Sequence, residues 1–402
     1  MSMQEPNATM REIENRISVQ KKSRKMHRHS LTVTLSLIAL SLVLFATDSL
    51  VAHFSGSPLA NASAHSETNL PVHLAKQKHL VNPTSGALTP QDLWKMYNLP
   101  GLSGGAGQTI AEIIDGDLPT ADADLQAYSK RFGLPQCTVA SGCLTIKYQG
   151  GRKVPPASDP IEGLLDIEIM HATAPQAKIL LYITSEKGNA LAVGPGDILK
   201  TPGLRSINMS YGFNGTGKQF EHLYADNPNH VAMFAASGDS GNGVISPPSI
   251  YPEVIAVGGT VWNGKTETAW SGAGGGLSSL YAEPAYQKAY GIPQARGLRG
   301  NPDIAAVAGT PIVTREMGKW SSETGTSIAS PIWTGIAALV NKPITNDMLY
   351  SLAKTHPDSF NDITVGTNGR CGFICTAHPG YDYITGLGTP KNFVANVNAM
   401  GK

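Results

Sequence analysis

The heptapeptide Gly325-Thr326-Ser327-Ile328-Ala329-Ser330-Pro331 leads into an apolar stretch, Ile332–Val340, that reads as a helix. Glycine and threonine before the serine suit a turn. A hydroxyl at a helix amino terminus sits in positive potential, beside N–H groups that can stabilise an oxyanion. Ser327 is therefore a candidate nucleophile, although serine is also favoured as an ordinary N-cap. A serine nucleophile needs a group to take its proton. Two candidates lie in Pro160-Ile161-Glu162-Gly163-Leu164-Leu165-Asp166-Ile167-Glu168-Ile169-Met170. Glu162 and Asp166 stand at i and i+4, so on a helix they share one face about one turn apart. On a solvated helix, like charges at that spacing only repel. In a closed site, two neighbouring carboxylates share a proton and one pKa rises. Such a pair can accept a serine proton in acid, where a histidine would already be protonated. Leu164, Leu165, Ile167, Ile169 and Met170 make this segment too apolar for a solvated face, and Glu168 should point away from Asp166.

A further acid, Asp239, lies in Phe234-Ala235-Ala236-Ser237-Gly238-Asp239-Ser240-Gly241. An aspartate donates a hydrogen bond only when protonated, so this residue also suits acid conditions. The chain has 11 histidines. His27, His29, His53, His65, His73 and His79 precede the ordered part, and His171, His222, His230, His356 and His378 have no Gly-Thr neighbour. Asp115-Gly116 follows a predicted strand, and a histidine-dependent alternative would pair Asp115 with His171.

These residues need a scaffold. Thr109–Asp115, Lys178–Thr184, Ser206–Ser210, Ala232–Ser237 and Val254–Gly258 read as buried strands, rich in Ile, Val and Ala and bounded by Gly, Pro or Asp. Helical patterns separate them. The expectation is an α/β fold with a mostly parallel sheet covered on both faces. No internal repeat is present, and one catalytic domain over residues 86–402, ordered from Leu88-Thr89-Pro90, accounts for the pattern.

Net charge is +1 over 402 residues, which points to no nucleic acid and no acidic partner. Charged residues make up only 15% against roughly 25% for an average soluble domain, and 43 glycines with 27 prolines indicate a loop-rich chain. The local exception is the basic amino-terminal region, residues 1–29, with the run Lys21-Lys22-Ser23-Arg24-Lys25-Met26-His27-Arg28. It precedes Leu31–Ala46, which carries no charge. This is the pattern of a secretory signal. Residues 30–54 are expected to be a signal peptide or a retained signal anchor, and 55–85 a linker or short pro-segment. The chain is expected outside the cytoplasm, secreted or anchored on the outer side of the membrane by residues 31–54. Cys137, Cys143, Cys371 and Cys375 all follow this segment, and their short spacings suit two local disulfides of an oxidising compartment. A metal site is the alternative, but no second thiol or histidine pair stands at zinc-like spacing.

The stretch around Ser327 is identical, except at Ile328, to the nucleophile motif of subtilisin-like peptidases. Those enzymes set a histidine in His-Gly-Thr-His and an oxyanion-donating amide in Asn-Ser-Gly. This chain lacks the first and has Asp239 at the second. In both respects it resembles the sedolisins, serine-carboxyl peptidases with a subtilisin-like fold. Further matches are Tyr251-Pro252-Glu253-Val254-Ile255-Ala256-Val257-Gly258-Gly259-Thr260, Gly274-Gly275-Gly276-Leu277-Ser278 and Gly300-Asn301-Pro302-Asp303-Ile304-Ala305-Ala306, and the similarity covers roughly residues 88–392. The resemblance implies that Glu162 is the base, Asp166 orients it, Ser327 attacks, and Asp239 completes the oxyanion hole with the Ser327 amide. It implies a peptidase acting on proteins or peptides in acid through an acyl-enzyme; an endopeptidase and a monomer are the expectation, with tripeptidyl-type cleavage the alternative mode. It also implies one structural calcium ion, held by Asp362, Ile363, His378, Gly380 and Asp382, with main-chain carbonyls supplied by the middle three. An all-oxygen shell is what calcium prefers. Position 378 is commonly glycine in the family, a change a main-chain ligand tolerates. Family members usually carry a long amino-terminal activation domain, where this chain has the short stretch 47–87. A catalytically inactive surface binding protein is the reading from another class.

Overall fold

The computed structural model describes Val72–His73, residues 86–243 and residues 245–400. The expected signal or anchor at 30–54 and most of the linker lie outside the described residues. Among the described residues no helix is long and apolar enough to cross a membrane.

Order begins where the sequence changes composition. Thr89 caps helix α1 (Pro90–Met96), accepting from the Asp92 amide while the Asp92 carboxylate accepts from the Thr89 amide, with Pro90 in the first turn. The central sheet has seven parallel strands: β1 (Thr109–Asp115), β2 (Leu144–Tyr148), β3 (Lys178–Thr184), β4 (Leu204–Met209), β5 (Ala232–Ala236), β6 (Ile255–Trp262) and β7 (Ile304–Val307). Their spatial order is β7-β6-β5-β4-β1-β3-β2, and Glu267–Ala269 adds an eighth strand antiparallel to β6. The expected bounds of β1 and β3 are the observed ones, while β6 runs on to Trp262. Two of the seven parallel strands have no counterpart in the sequence reading. β2 is an edge strand whose burial alternates, and β7 is only four residues of Ile, Ala and Val. A short or half-exposed run gives a weak periodic signal. The two-residue strand Val72–His73 pairs antiparallel with Tyr211–Gly212.

The chain leaves β1 first toward β2 and β3, then crosses to β4 on the other side, which makes β1 the switch point of the sheet. Ligand sites of open parallel sheets form outside the carboxyl ends of strands at such a point.

Strand periodicity divides the core. Ile110 and Ile114 of β1 face helices α3 (Ile161–Thr173) and α5 (Thr326–Ala337), with α2 (Ala121–Phe132) beside them. Ala111 and Ile113 face α4 (Ala190–Ile198) on the other side. Every residue of α3 and of α5 is buried. A helix apolar on nearly all sides belongs inside a core, so both carry their polar residues into it. They pack on each other, and Gly335 lets α5 approach α3 closely. A methyl group there would stand 2.6 Å from Thr173 Cβ and 3.3 Å from the Met170 carbonyl oxygen. Overpacking of this kind costs about 1–3 kcal/mol. Gly335→Val is expected to lower the urea midpoint accordingly. An unchanged midpoint would show that the two helices do not depend on this contact.

Candidate active site

Glu162 lies in the first turn of α3 and Asp166 one turn further along, both fully buried. Gly163 between them lets this end of the helix close on the sheet, since a methyl group there would stand 2.6 Å from Leu118 Cδ1 and 3.2 Å from Ile114 Cγ1. Asp166 Oδ1 accepts a 3.0 Å hydrogen bond from Ser210 Oγ, just past the end of β4. Glu168 points elsewhere, as its spacing requires: its Oε2 accepts from the Arg315 amide at 2.8 Å. Burial pushes the Glu168 carboxyl well above the ordinary carboxylate range, with Asp124 and Glu316 adding to the effect.

Ser327 is the second residue of α5 and Thr326 the first. The helix thus starts six residues earlier than the apolar run Ile332–Val340 suggests, and Pro331 is accommodated in it. Asp239 follows β5 and is bound to the same helix end. Its Oδ1 accepts from the Thr326 amide at 2.7 Å and from Thr326 Oγ1 at 2.8 Å. Thr326 Oγ1 accepts in turn from the Gly238 amide at 3.1 Å, so threonine fastens the β5 loop to α5. Gly325, at φ 145°, opens the space in front of this group. A methyl group on Gly325 would stand 2.8 Å from Asp239 Oδ2 and 3.7 Å from the Ser327 amide nitrogen. Carboxyl oxygen and amide therefore flank one small cradle at a helix amino terminus. Both Thr326 donors are on Oδ1, and Oδ2 is the Asp239 oxygen nearest that cradle.

The loop after Asp239 is braced from the carboxy-terminal part of the chain. The Asn242 amide donates to the Asn368 carbonyl at 3.0 Å, and the disulfide Cys371–Cys375 closes the adjoining loop. The second disulfide is Cys137–Cys143. His171, the histidine alternative, belongs to that region. It lies beyond Glu162 and Asp166 in the last turn of α3, and its Nε2 is 2.9 Å from the Pro135 carbonyl oxygen. It groups with the two sulfurs of Cys137 and Cys143, which are in the disulfide. Burial lowers its pKa to about 4. It has no part in the Ser327 end of α5.

The expected calcium ligands come together in part. The exposed Asp362 accepts from the Gly380 amide at 2.9 Å, which joins the two loops. Asp382 is buried, its Oδ1 taking the amides of Ile384 and Thr385 and its Oδ2 the Thr385 hydroxyl. Burial raises it to about 6, which a neighbouring cation would offset. Ile363 is buried, and the His378 ring lies 4.1 Å from the Phe373 ring, its Nδ1 3.3 Å from the Pro379 carbonyl oxygen. Two carboxylates and peptide carbonyls fit a hard cation.

Three polar residues beside the carboxylates escaped the sequence reading: Glu112 in β1, Asn208 in β4 and Ser210 after it. Glu112 and Asn208 are register partners across the β1–β4 pair. The signal that could have found them is a charged and an amide residue inside otherwise apolar parallel strands.

The fold, with the Ser327 helix packed against a parallel sheet, is that of the subtilisin-like peptidases, and the model described as "Subtilase family" matches residues 161–357. The chain is 31% identical over 353 residues to kumamolisin of Bacillus sp. (strain MN-32), covering 76% of this chain and 62% of that protein. It is 27% identical over 367 residues to sedolisin of Pseudomonas sp. (strain 101), covering 78% and 61%. The solved structure of Pseudomonas sedolisin, a serine-carboxyl proteinase complexed with two molecules of pseudo-iodotyrostatin, superposes with a TM-score of 0.68 at 23% identity, over 79% of this chain and 98% of that one. The chain is similar to the sedolisins over about three quarters of its length and shares their subtilisin-like fold. It spans less than two thirds of the length of these full-length relatives.

The buried acids make stability depend on pH. Folded, Glu112 and Glu168 keep protons above the ordinary carboxyl range, whereas the unfolded chain releases them near pH 4.3 or so. The native state then binds more protons, and stability falls as pH rises above that value. His171 opposes this between about pH 4 and 6.5, because only its unfolded form is protonated there. Two acids outweigh one imidazole. Tm is expected to fall from pH 5 to pH 7.5, and Glu168→Gln to flatten the curve. A Tm that rises over this range would show that both carboxyls ionise in the fold as they do in water.

Proposed function

We propose that this chain is an exported endopeptidase that works in acid, with Ser327 as nucleophile and Glu162 as general base. The observation that carries the proposal is the cradle at Gly325, flanked by the Asp239 carboxyl and the Ser327 amide. In the proposed cycle Ser327 Oγ attacks the scissile carbonyl and its proton passes to Glu162, oriented by Asp166. The tetrahedral oxyanion takes hydrogen bonds from the Ser327 N–H and from protonated Asp239 Oδ2. Glu162 then gives its proton to the leaving amine, and the acyl-enzyme forms. Water attacks the acyl carbon with Glu162 again accepting a proton, and Ser327 is regenerated. Acid conditions favour the donor form of Asp239.

Substrates on this reading are proteins or peptides, taken by a monomer. One calcium ion would be held by the Asp362 and Asp382 carboxylates and the carbonyls of Ile363, His378 and Gly380, linking loops near the carboxy terminus. The basic run and the apolar Leu31–Ala46 support export, as a secreted protein or one anchored at residues 31–54.

The test is cleavage of denatured haemoglobin by purified protein at pH 3–5 and at pH 7.5, with substitutions. Glu162→Gln and Ser327→Ala are expected to lower kcat by at least about a hundredfold, the scale of general acid–base catalysis. Asp239→Asn is expected to move the pH profile toward neutrality, because an amide donates at any pH. His171→Ala is expected to leave most of the activity. Cleavage confined to neutral pH and lost in His171→Ala would support a histidine-dependent enzyme, and no cleavage at any pH an inactive binding protein. Chelation of calcium is expected to lower Tm by several degrees, and an unchanged Tm would reject the Asp362/Asp382 site.

A further inference from the structure

Glu112 sits in the middle of β1, fully buried, on the strand face shared by Ile110 and Ile114 and covered by α3 and α5. An ionisable group there needs a partner or a proton. Across the sheet its partner is Asn208, whose Nδ2 donates to Glu112 Oε2 at 2.7 Å and to Ser210 Oγ at 3.0 Å. Asn208 Oδ1 accepts from Ser330 Oγ of α5 at 2.6 Å, which fixes the amide orientation. Ser210 Oγ donates its own proton to Asp166 Oδ1. One Asn208 amide hydrogen thus supplies Glu112 Oε2, the other goes to Ser210 Oγ, and the Ser210 hydroxyl hydrogen supplies Asp166 Oδ1. The other oxygen, Glu112 Oε1, is buried and takes no N–H or hydroxyl donor among the described residues. Glu112 and Asp166 are nonetheless within hydrogen-bonding reach of each other. Two carboxyls in such contact require a proton between them.

Among the described residues, the groups facing Glu112 offer no compensating cation. From α3 they are Asp166 and Glu162. From β4 and its end they are Asn208 and Tyr211, and Asp115 on β1 itself also acts on Tyr211. On the β3 side the register neighbour is Leu181. Burial is the largest influence on Glu112 and the Asp166 charge the next, both holding its proton on.

We propose that Glu112 is a positioning residue of the serine-carboxyl network, acting in its neutral form by donating its proton to Asp166, and that its ionisation limits activity as pH rises. This rests on the reading of Glu162 and Asp166 given above. While Glu112 is neutral, the Asp166 charge is shared and Asp166 stays set to orient Glu162. Once Glu112 ionises, three anions face one another in an apolar pocket and the arrangement is driven apart.

Two substitutions in the full chain separate this role from packing. Glu112→Gln keeps an acceptor for Asn208 and a donor for Asp166 but has no proton to lose. It is expected to raise the ratio of kcat at pH 7 to kcat at pH 4 by about threefold or more, with KM little changed. Glu112→Leu removes the donor and is expected to lower kcat about tenfold at every pH without a matching change in KM. A pH profile of Glu112→Gln that superimposes on the parent, or an undiminished kcat for Glu112→Leu at unchanged Tm, would overturn the proposal. Infrared titration of the Ser327→Ala protein gives a reading independent of turnover. A protonated-carboxyl stretch near neutral pH should lose intensity when Glu112→Gln is added, and equal intensity would also overturn it. If the parent cleaves nothing while that band behaves as expected, the peptidase reading fails and the proton assignment stands.

Discussion

The structure depends on keeping acidic side chains inside an apolar helix pair. Helix α3 carries Glu162, Asp166 and Glu168 into the core, and α5 presses against it through Gly335. Burying a carboxylate without a partner is costly, so such groups either keep a proton or collect donors. Glu168 does both, with the Arg315 amide on one oxygen and a raised pKa. Asp166 has Ser210, and Glu112 has Asn208. The neighbourhood is held in place by hydrogen bonds from strand β4, so the sheet and the helices set the acids together.

Thr326 does for Asp239 what Asn208 does for Glu112. By donating twice to Oδ1 it fixes the carboxyl plane and directs Oδ2 toward Gly325. The same side chain ties β5 to α5 through the Gly238 amide. A substitution at Thr326 would thus disturb the acid without touching the serine. Elsewhere in the core, the buried pair Arg299–Asp303 shows the other solution to the same physics. There a guanidinium, two carboxylate oxygens and the carbonyls of Ser249, Ile250 and Val254 satisfy one another, and no proton need be stored.

The parallel strands were legible because they are short runs of Ile, Val and Ala bounded by turn residues, and β1 and β3 match those runs end to end. Edge strand β2 and short β7 were not, since alternation over five residues or four apolar residues also occurs by chance. Of the site, Ser327, Glu162, Asp166 and Asp239 could be picked out by type, spacing and motif. Glu112 and Asn208 could not, because each is a single polar residue in its strand and their contact is made only by register between segments 96 residues apart. His171 was a fair candidate in the sequence and is not one in space, because the helix turns it toward Pro135 and the Cys137–Cys143 disulfide.

By itself the sequence determined the chemical inventory: a serine at a helix start, two acids one helical turn apart, an aspartate after a strand, and no histidine in a matching setting. Those follow from local spacing, which the chain carries without folding. Only the tertiary structure decided which oxygen of Asp239 faces the cradle, which way His171 points, and that a third carboxyl lies beside Asp166. Each of these depends on side chains brought together from distant strands and helices, and on burial that turns an ordinary glutamate into one that keeps its proton.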